Sequence, residues 1–407
     1  MTYPLLKDVS VIESSAFIAA PLAGMTLAQY GADVIRIDMI GGGIDYQRMP
    51  RISPQGRSLY WTSLNKGKRS VAIDIRQPQG KELVAEMAIA AGNLLTNIAT
   101  PWLNDEVLTA RRNDAITCII QGNADGSTAV DYTVNCATGY PNVTGDASTG
   151  RPVNHVLPAW DIACAYQAAF AMVAAINRRH LSGEGAQIKL ALSDVAFSTL
   201  SHLGVMTEAE LLGQERPALG NHLYGAFGLD FATADGQRVM VVAISAGQWK
   251  ALVQCCEIEP AISGAQQSLG LDFADEAQRF EGRELIAALI RPWFGKRTLH
   301  EAEVALNRSK VCWGKYGGVR ELLNADGRVS LDNPIYERID TPGVGSHLSA
   351  RATARFADLE HTPSSAAPLL GTHTDEVLHQ LLGLSGIEIG RLHDSGIVAG
   401  PDKDPAG

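Results

Sequence analysis

The chain has 407 residues, 46% of them apolar and 19% charged, so it can bury a large core and is expected to divide into two domains. Its net charge of −10 leaves no broad basic field, which argues against a nucleic-acid partner. Six cysteines (Cys118, Cys136, Cys164, Cys255, Cys256, Cys312) show neither a C-x-x-C pair nor zinc spacing, so a reducing cytoplasm and no metal site are expected.

The first residues, MTYPLLKDVS, lack the basic-then-apolar pattern of a secretory signal. In chain order, DVSVIESS reads as a strand, AAPLAGMTLAQYG as a small-residue turn entering a helix, and ADVIRID as a second strand. RSVAIDI, the helix PQGKELVAEMAIAAG, NLLTNI and AITCIIQG continue the alternation, with Pro near the helix start and Gly at its end. Strands alternating with helices predict an α/β fold whose parallel sheet is covered on both faces.

From Asp161 the pattern turns to long helices, DIACAYQAAFAMVAAINRRH and SDVAFSTLSHLGVMTEAELLG, with the strand-like GAQIKLAL between them. The first is apolar nearly all round, as expected of a helix packed on every side. Its longest apolar run, Ala163–Ile176, falls short of the ~20 residues of a membrane span, so no membrane partner is expected. FGLDFATADGQRVMVVAIS reads as a hairpin turning at Asp235-Gly236. The tail PIYERIDTP and HTDEVLHQLLGL is expected to return to the first domain, and the final GPDKDPAG to fray.

Chemical motifs are sparse. GGGIDY lacks the third glycine of a dinucleotide fingerprint, AISAG lacks the first glycine of a nucleophile elbow, and the ten histidines form no H-E-x-x-H. NKGKRS places three cations in a turn before a strand, a solvated turn or a phosphate contact. Asp161, in HVLPAWDIACAYQ, stands at the mouth of an oily helix, either as a helix cap or as a nucleophile.

Together, AAPLAGMTLAQYGADVIRID, NKGKRSVAIDI, PAWDIACAYQAAFAMVAAINRR, GEGAQIKLALSD and LLGTHTDEVL resemble the family III CoA-transferases in order and spacing. The resemblance implies a Rossmann-like large domain built from both ends of the chain, a small middle domain and an interlocked homodimer. It divides the chain into 1–200, a linker helix over 201–222, a small α+β domain over 223–325 and a return segment over 326–407. It implies a CoA thioester of a small dicarboxylic acid as substrate, with CoA as part of that substrate and no tightly bound cofactor.

By the same resemblance the nucleophile falls on Asp161. CoA contacts fall on Ile18 and Ala19, on Ile73, Asp74, Ile75 and Arg76, on Asn97, Ile98 and Ala99, and on Thr128 to Asp131. Relatives carry basic residues where this chain has Met39 and Thr128, so Arg36, Lys68, Arg69 and Arg76 become the candidates for the CoA phosphates. Arg48, Asn154, His155 and Tyr224 are the candidates for the free substrate carboxylate. The helix dipole is expected to keep Asp161 ionised. The α-methylacyl-CoA racemases of the same fold need a second base, a His where this chain has Val130. Transfer to an external acid and CoA binding without turnover also stay open.

Overall fold

The computed structural model describes residues 2–54, 56–98, 100–146 and 148–406. Two compact units divide the chain: Met1–Thr138, Val156–Leu211 and Gly327–Gly407 form one, and Gly139–His155 and Leu212–Asp326 the other.

The first unit opens with β1 (Ser10–Ser14), α1 (Ala19–Gln29), β2 (Asp33–Asp38), α2 (Leu59–Leu64), β3 (Arg69–Ile73), α3 (Pro78–Ala91), β4 (Asn93–Thr96), α4 (Asp105–Thr109), β5 (Ile116–Gln121) and α5 (Asp131–Ala137). α6 (Tyr140–Thr144) belongs to the second unit, and the first resumes with α7 (Ala159–Ser182), β6 (Ala186–Ala191), α8 (Leu192–His202) and α9 (Val205–Leu212). The six strands pair in parallel in the order β3-β2-β1-β4-β5-β6, that of a doubly wound sheet. Val11, Ile12, Val34, Ile35, Leu94 and Leu95 alternate in facing but are all buried, which is why these strands read as continuous apolar runs. Pro78 in the first turn and the left-handed Gly92 (φ 73°) delimit α3 as its sequence foretells.

α7 departs from expectation. Cys164, Ala165, Ala168, Met172 and Ile176 are buried and face inward, where small side chains let α7 lie close to α1. Tyr166, Phe170, Val173 and Leu181 are exposed, Phe170 by 75%. The helix is long and apolar enough to cross a bilayer by length and composition, yet its inner face is part of this unit's core. The second helix is also not continuous: the left-handed Gly204 (φ 73°) separates α8 from α9, and residues 213–219 are not helical, so no linker helix spans 201–222.

In the second unit β7 (Phe227–Ala232) and β8 (Arg238–Ala243) form the expected hairpin, with Gly236 left-handed (φ 75°) in its loop. Around it lie α10 (Ala246–Cys256), α11 (Glu259–Leu269), α12 (Glu276–Glu281), α13 (Arg283–Gly295), α14 (Leu299–Arg308), β9 (Cys312–Lys315) and α15 (Val319–Ala325). β9 pairs with β8, and Phe227, Phe231, Trp249, Phe273 and Phe294 form an aromatic core. Residues 139–155, read as part of the large domain, belong to this unit.

The return segment carries the hairpin β10 (Tyr336–Thr341) and β11 (Gly345–Ala350), then α16 (Thr374–Leu382), α17 (Gly386–Asp394) and β12 (Val398–Ala399). β12 adds antiparallel to β3 and completes a seven-stranded sheet. Val377, Leu378 and Leu392 share one core with Ile12, Ile35 and Met87. Of the tail expected to fray, Gly407 lies outside the described residues, but Asp404 is held: it is buried, accepts the Tyr46 hydroxyl at 2.6 Å and the Leu370 N–H at 2.6 Å, and so ties the tail to the loop after β2.

Candidate active site

The carboxyl edge of the sheet, where open α/β sheets bind ligands, gathers the loops after β1, β2, β3, β4 and β5. After β1 the chain turns sharply. Asn97 clamps Ala16 from both sides, accepting its N–H at 2.9 Å and donating to its carbonyl at 2.7 Å. Asp45 accepts the N–H of Phe17 at 3.1 Å. Phe17 has φ 66°, a left-handed conformation that a bulky residue adopts only under such constraint. Its ring and that of Tyr60 flank the Arg48 guanidinium at 5.3 and 5.4 Å, cation–π distances that fix an otherwise exposed side chain.

Asp161 lies in the first turn of α7, but it does not cap that helix. The capping acceptor comes from α5: Oδ2 of the buried Asp131 takes the N–H of Trp160 at 2.7 Å and that of Asp161 at 3.1 Å. The Trp160 indole N–H donates to Asn135 at 3.0 Å and adds a second tie between α5 and α7. No hydrogen-bond donor to the Asp161 carboxylate is found among the described residues. Burial first, and the neighbouring Asp131 carboxylate second, push Asp161 up to about 7, against a smaller opposing pull from Arg48. Burial and Asp131 thus work against the ionisation that the start of the helix was expected to favour.

The CoA candidates separate clearly. Ile18 and Ala19 open α1, Ile73 ends β3 and Asp74 to Arg76 follow it, and Asn97 and Ile98 follow β4, all at the carboxyl edge; Ala99 lies outside the described residues. Asp131 stands at that edge too, but its buried carboxylate is engaged with α7. Arg36 and Lys68 are corrected: both are buried and neutralised inside the fold. Glu13 takes Arg36 at 3.1 Å and Lys68 at 2.8 Å, and Asp38 takes Arg36 at 2.8 Å. Burial holds the Lys68 ammonium down to about 8. Arg69 is corrected as well, since it sits at the amino end of β3, the opposite edge, paired with Asp33 and Glu376. Of the four, only Arg76 is both exposed and at the ligand edge, next to Asp74 at 2.8 Å.

Asn154, His155 and Tyr224 belong to the second unit, where the Tyr224 ring lies under Arg216 at 3.8 Å and against Phe280 at 5.1 Å. Sequence reasoning missed Tyr60. Its hydroxyl is buried with no hydrogen-bond partner among the described residues, and its ring is one of the two that hold Arg48. Its only signal was position, shortly before NKGKRS.

Known proteins fit this geometry. A profile of CoA-transferase family III matches residues 6–374. The chain is 47% identical over 404 residues to 2-methylfumaryl-CoA isomerase of Chloroflexus aurantiacus, covering 98% of this chain and 99% of that one. It is 26% identical over 431 residues to formyl-CoA:oxalate CoA-transferase of Rhodopseudomonas palustris, again covering 98% and 99%. A CaiB/BaiF family protein from Brucella suis superposes with a TM-score of 0.77 at 22% identity, covering 94% of this chain and 100% of that one, a likeness of fold. A mixed α/β chain with a mostly parallel sheet, matched almost end to end by these relatives, belongs to CoA-transferase family III.

Proposed function

We propose that this chain is a 2-methylfumaryl-CoA isomerase that moves CoA between the two carboxyls of one dicarboxylic acid. The observation that carries this reading is the 47% identity over nearly the whole chain to the Chloroflexus aurantiacus enzyme. Local chemistry supports it. A half-buried carboxylate with no hydrogen-bond donor among the described residues, Asp161, is a strong nucleophile once ionised.

In this mechanism Asp161 attacks the C1 thioester carbonyl of 2-methylfumaryl-CoA; the C–S bond breaks, leaving a mixed anhydride and CoA thiolate. The thiolate attacks the aspartyl carbonyl and releases the dicarboxylate, so the thioester now sits on Asp161. The C4 carboxylate attacks that thioester, thiolate leaves again, and its attack on the C4 carbonyl gives 3-methylfumaryl-CoA and free Asp161. No proton is gained or lost. Every intermediate keeps its acyl group activated, as anhydride or thioester, which is why a carboxylate serves where Ser would form a stable ester.

Arg48, held between Phe17 and Tyr60, is the proposed partner of the free carboxylate, by a charge-assisted hydrogen bond. CoA lies along the carboxyl edge, its phosphates toward the N-terminus of α1 at Ile18 and Ala19 and toward Arg76. The interlocked homodimer is proposed on the exposed stripe Tyr166, Phe170 and Val173, which borders an apolar groove of about 330 Å³ with Leu5, Leu6 and Tyr30. Six free cysteines support a cytoplasmic setting.

The test is to incubate purified protein with 2-methylfumaryl-CoA alone and with labelled free mesaconate. Unlabelled 3-methylfumaryl-CoA is the expected product. Dependence on added acid, or label in the product, would replace this reading with intermolecular transfer. Hydroxylamine quenching during turnover is expected to leave a hydroxamate on Asp161.

A further inference from the structure

Asp131 is a buried carboxylate with an unfinished set of partners. It is 2% exposed, and its Oδ2 alone accepts both N–H groups at the start of α7. Its Oδ1 is buried and has no hydrogen-bond partner among the described residues. A cap needs one acceptor oxygen, and Asn or Ser supplies it without charge. A charged cap with a naked second oxygen, set against the backbone of the very residue that acts as nucleophile, is costly as structure alone.

We propose that Asp131 is a positioning residue for Asp161: it fixes the first turn of α7 and, as a like charge in a buried setting, favours the forms of Asp161 that have lost their charge by acylation. The inference rests on the reading of Asp161 as nucleophile. Two neighbouring carboxylates, one buried and one half-buried, repel each other only while both are ionised. Once the Asp161 oxygen is bonded to an acyl carbon, or its carbonyl carries CoA sulfur, the side chain is neutral and the repulsion ends. The same charge that makes free Asp161 unstable therefore holds the transferred group on the enzyme between the two halves of the reaction. The burial and the like charge that together hold Asp161 up to about 7 agree with this arrangement.

The other groups facing Asp161 are few. Arg48, from the loop after β2, acts in the opposite sense; Tyr60 of α2 and Cys164, one turn along α7, are both raised by burial and stay neutral near pH 7. Asp131 is the negative neighbour among the groups that act on Asp161.

The experiment is Asp131→Asn, which keeps an acceptor oxygen for the two N–H groups and removes the charge. Two readouts separate positioning by charge from capping. The acid limb of kcat/KM against pH, which reports ionisation of Asp161 in the free enzyme, is expected to move down by about one unit, a tenfold change in acidity equal to about 1.4 kcal/mol. The fraction of enzyme carrying a covalent adduct during turnover, read by intact-protein mass, is expected to fall several-fold. Asp131→Glu keeps the charge and is expected to hold the acid limb near that of the parent. If Asp131→Asn does not fold, Asp131→Ser offers a smaller uncharged cap with the same two readouts. An unmoved acid limb with an unchanged adduct fraction overturns the proposal, leaving Asp131 as a cap only. Absence of any adduct on Asp161 in the parent enzyme instead overturns the proposed function itself, and the two failures cannot be confused.

Discussion

Asp161 carries a stability signature opposite to that of most carboxylates. Its acidity is weakened from 3.8 in the unfolded chain to about 7 in the fold, so the folded state binds the extra proton. Stability contributed by protonated Asp161 is full below about pH 4 and is lost as pH rises toward 7. Asp161→Asn should therefore melt higher than the parent at pH 8, with the gap closing toward pH 4, while turnover falls by at least about a thousandfold. Calorimetry and the isomerisation assay read the two effects separately. Arg48→Lys keeps the charge but loses the flat guanidinium that two rings hold; kcat/KM is expected to drop about tenfold or more while the melting temperature stays within a degree or two. The nucleophile was legible in the sequence because an acid before an apolar helix is conspicuous. Its partner was not, because Asp131 reaches the α7 backbone across thirty residues of chain that carry no local pattern.

At the scale of elements, the β-α-β alternation was readable because each strand and helix carries its own period and its own Gly or Pro boundary, as α3 does with Pro78 and Gly92. Pairing between strands was not. Glu13 faces Arg36 across the β1–β2 register and Arg36 faces Ser70 across β2–β3, so cations that look free in the sequence are neutralised by neighbours in the sheet. This row sets a steric limit on α1: a Cβ on Gly24 would lie 1.7 Å from the Glu13 carboxylate. Gly24→Ala is expected to cost about 1–3 kcal/mol in denaturant unfolding, as overpacking does, even though alanine suits a helix better. The break at Gly204 escaped the reading because the apolar pattern runs straight through it.

On the scale of the whole molecule, the proposed homodimer is tested at the apolar surface left on α7. Phe170→Glu places a charge on the exposed stripe, and the variant is expected to sediment at the single-chain mass of 43.4 kDa where the parent sediments at twice that. A parent that sediments as one chain would remove the dimer proposal. The returning tail has a consequence of another kind. β3 lacks its outer partner until β12 arrives, and Tyr46 lacks its acceptor until Asp404 does, although both wait near the beginning of the chain. During synthesis on the ribosome the large sheet therefore stays open along one margin until nearly the whole polypeptide has emerged. A chain stopped short of β12 would present that bare margin to chaperones and proteases, so premature stops late in the message should destroy the protein rather than trim it.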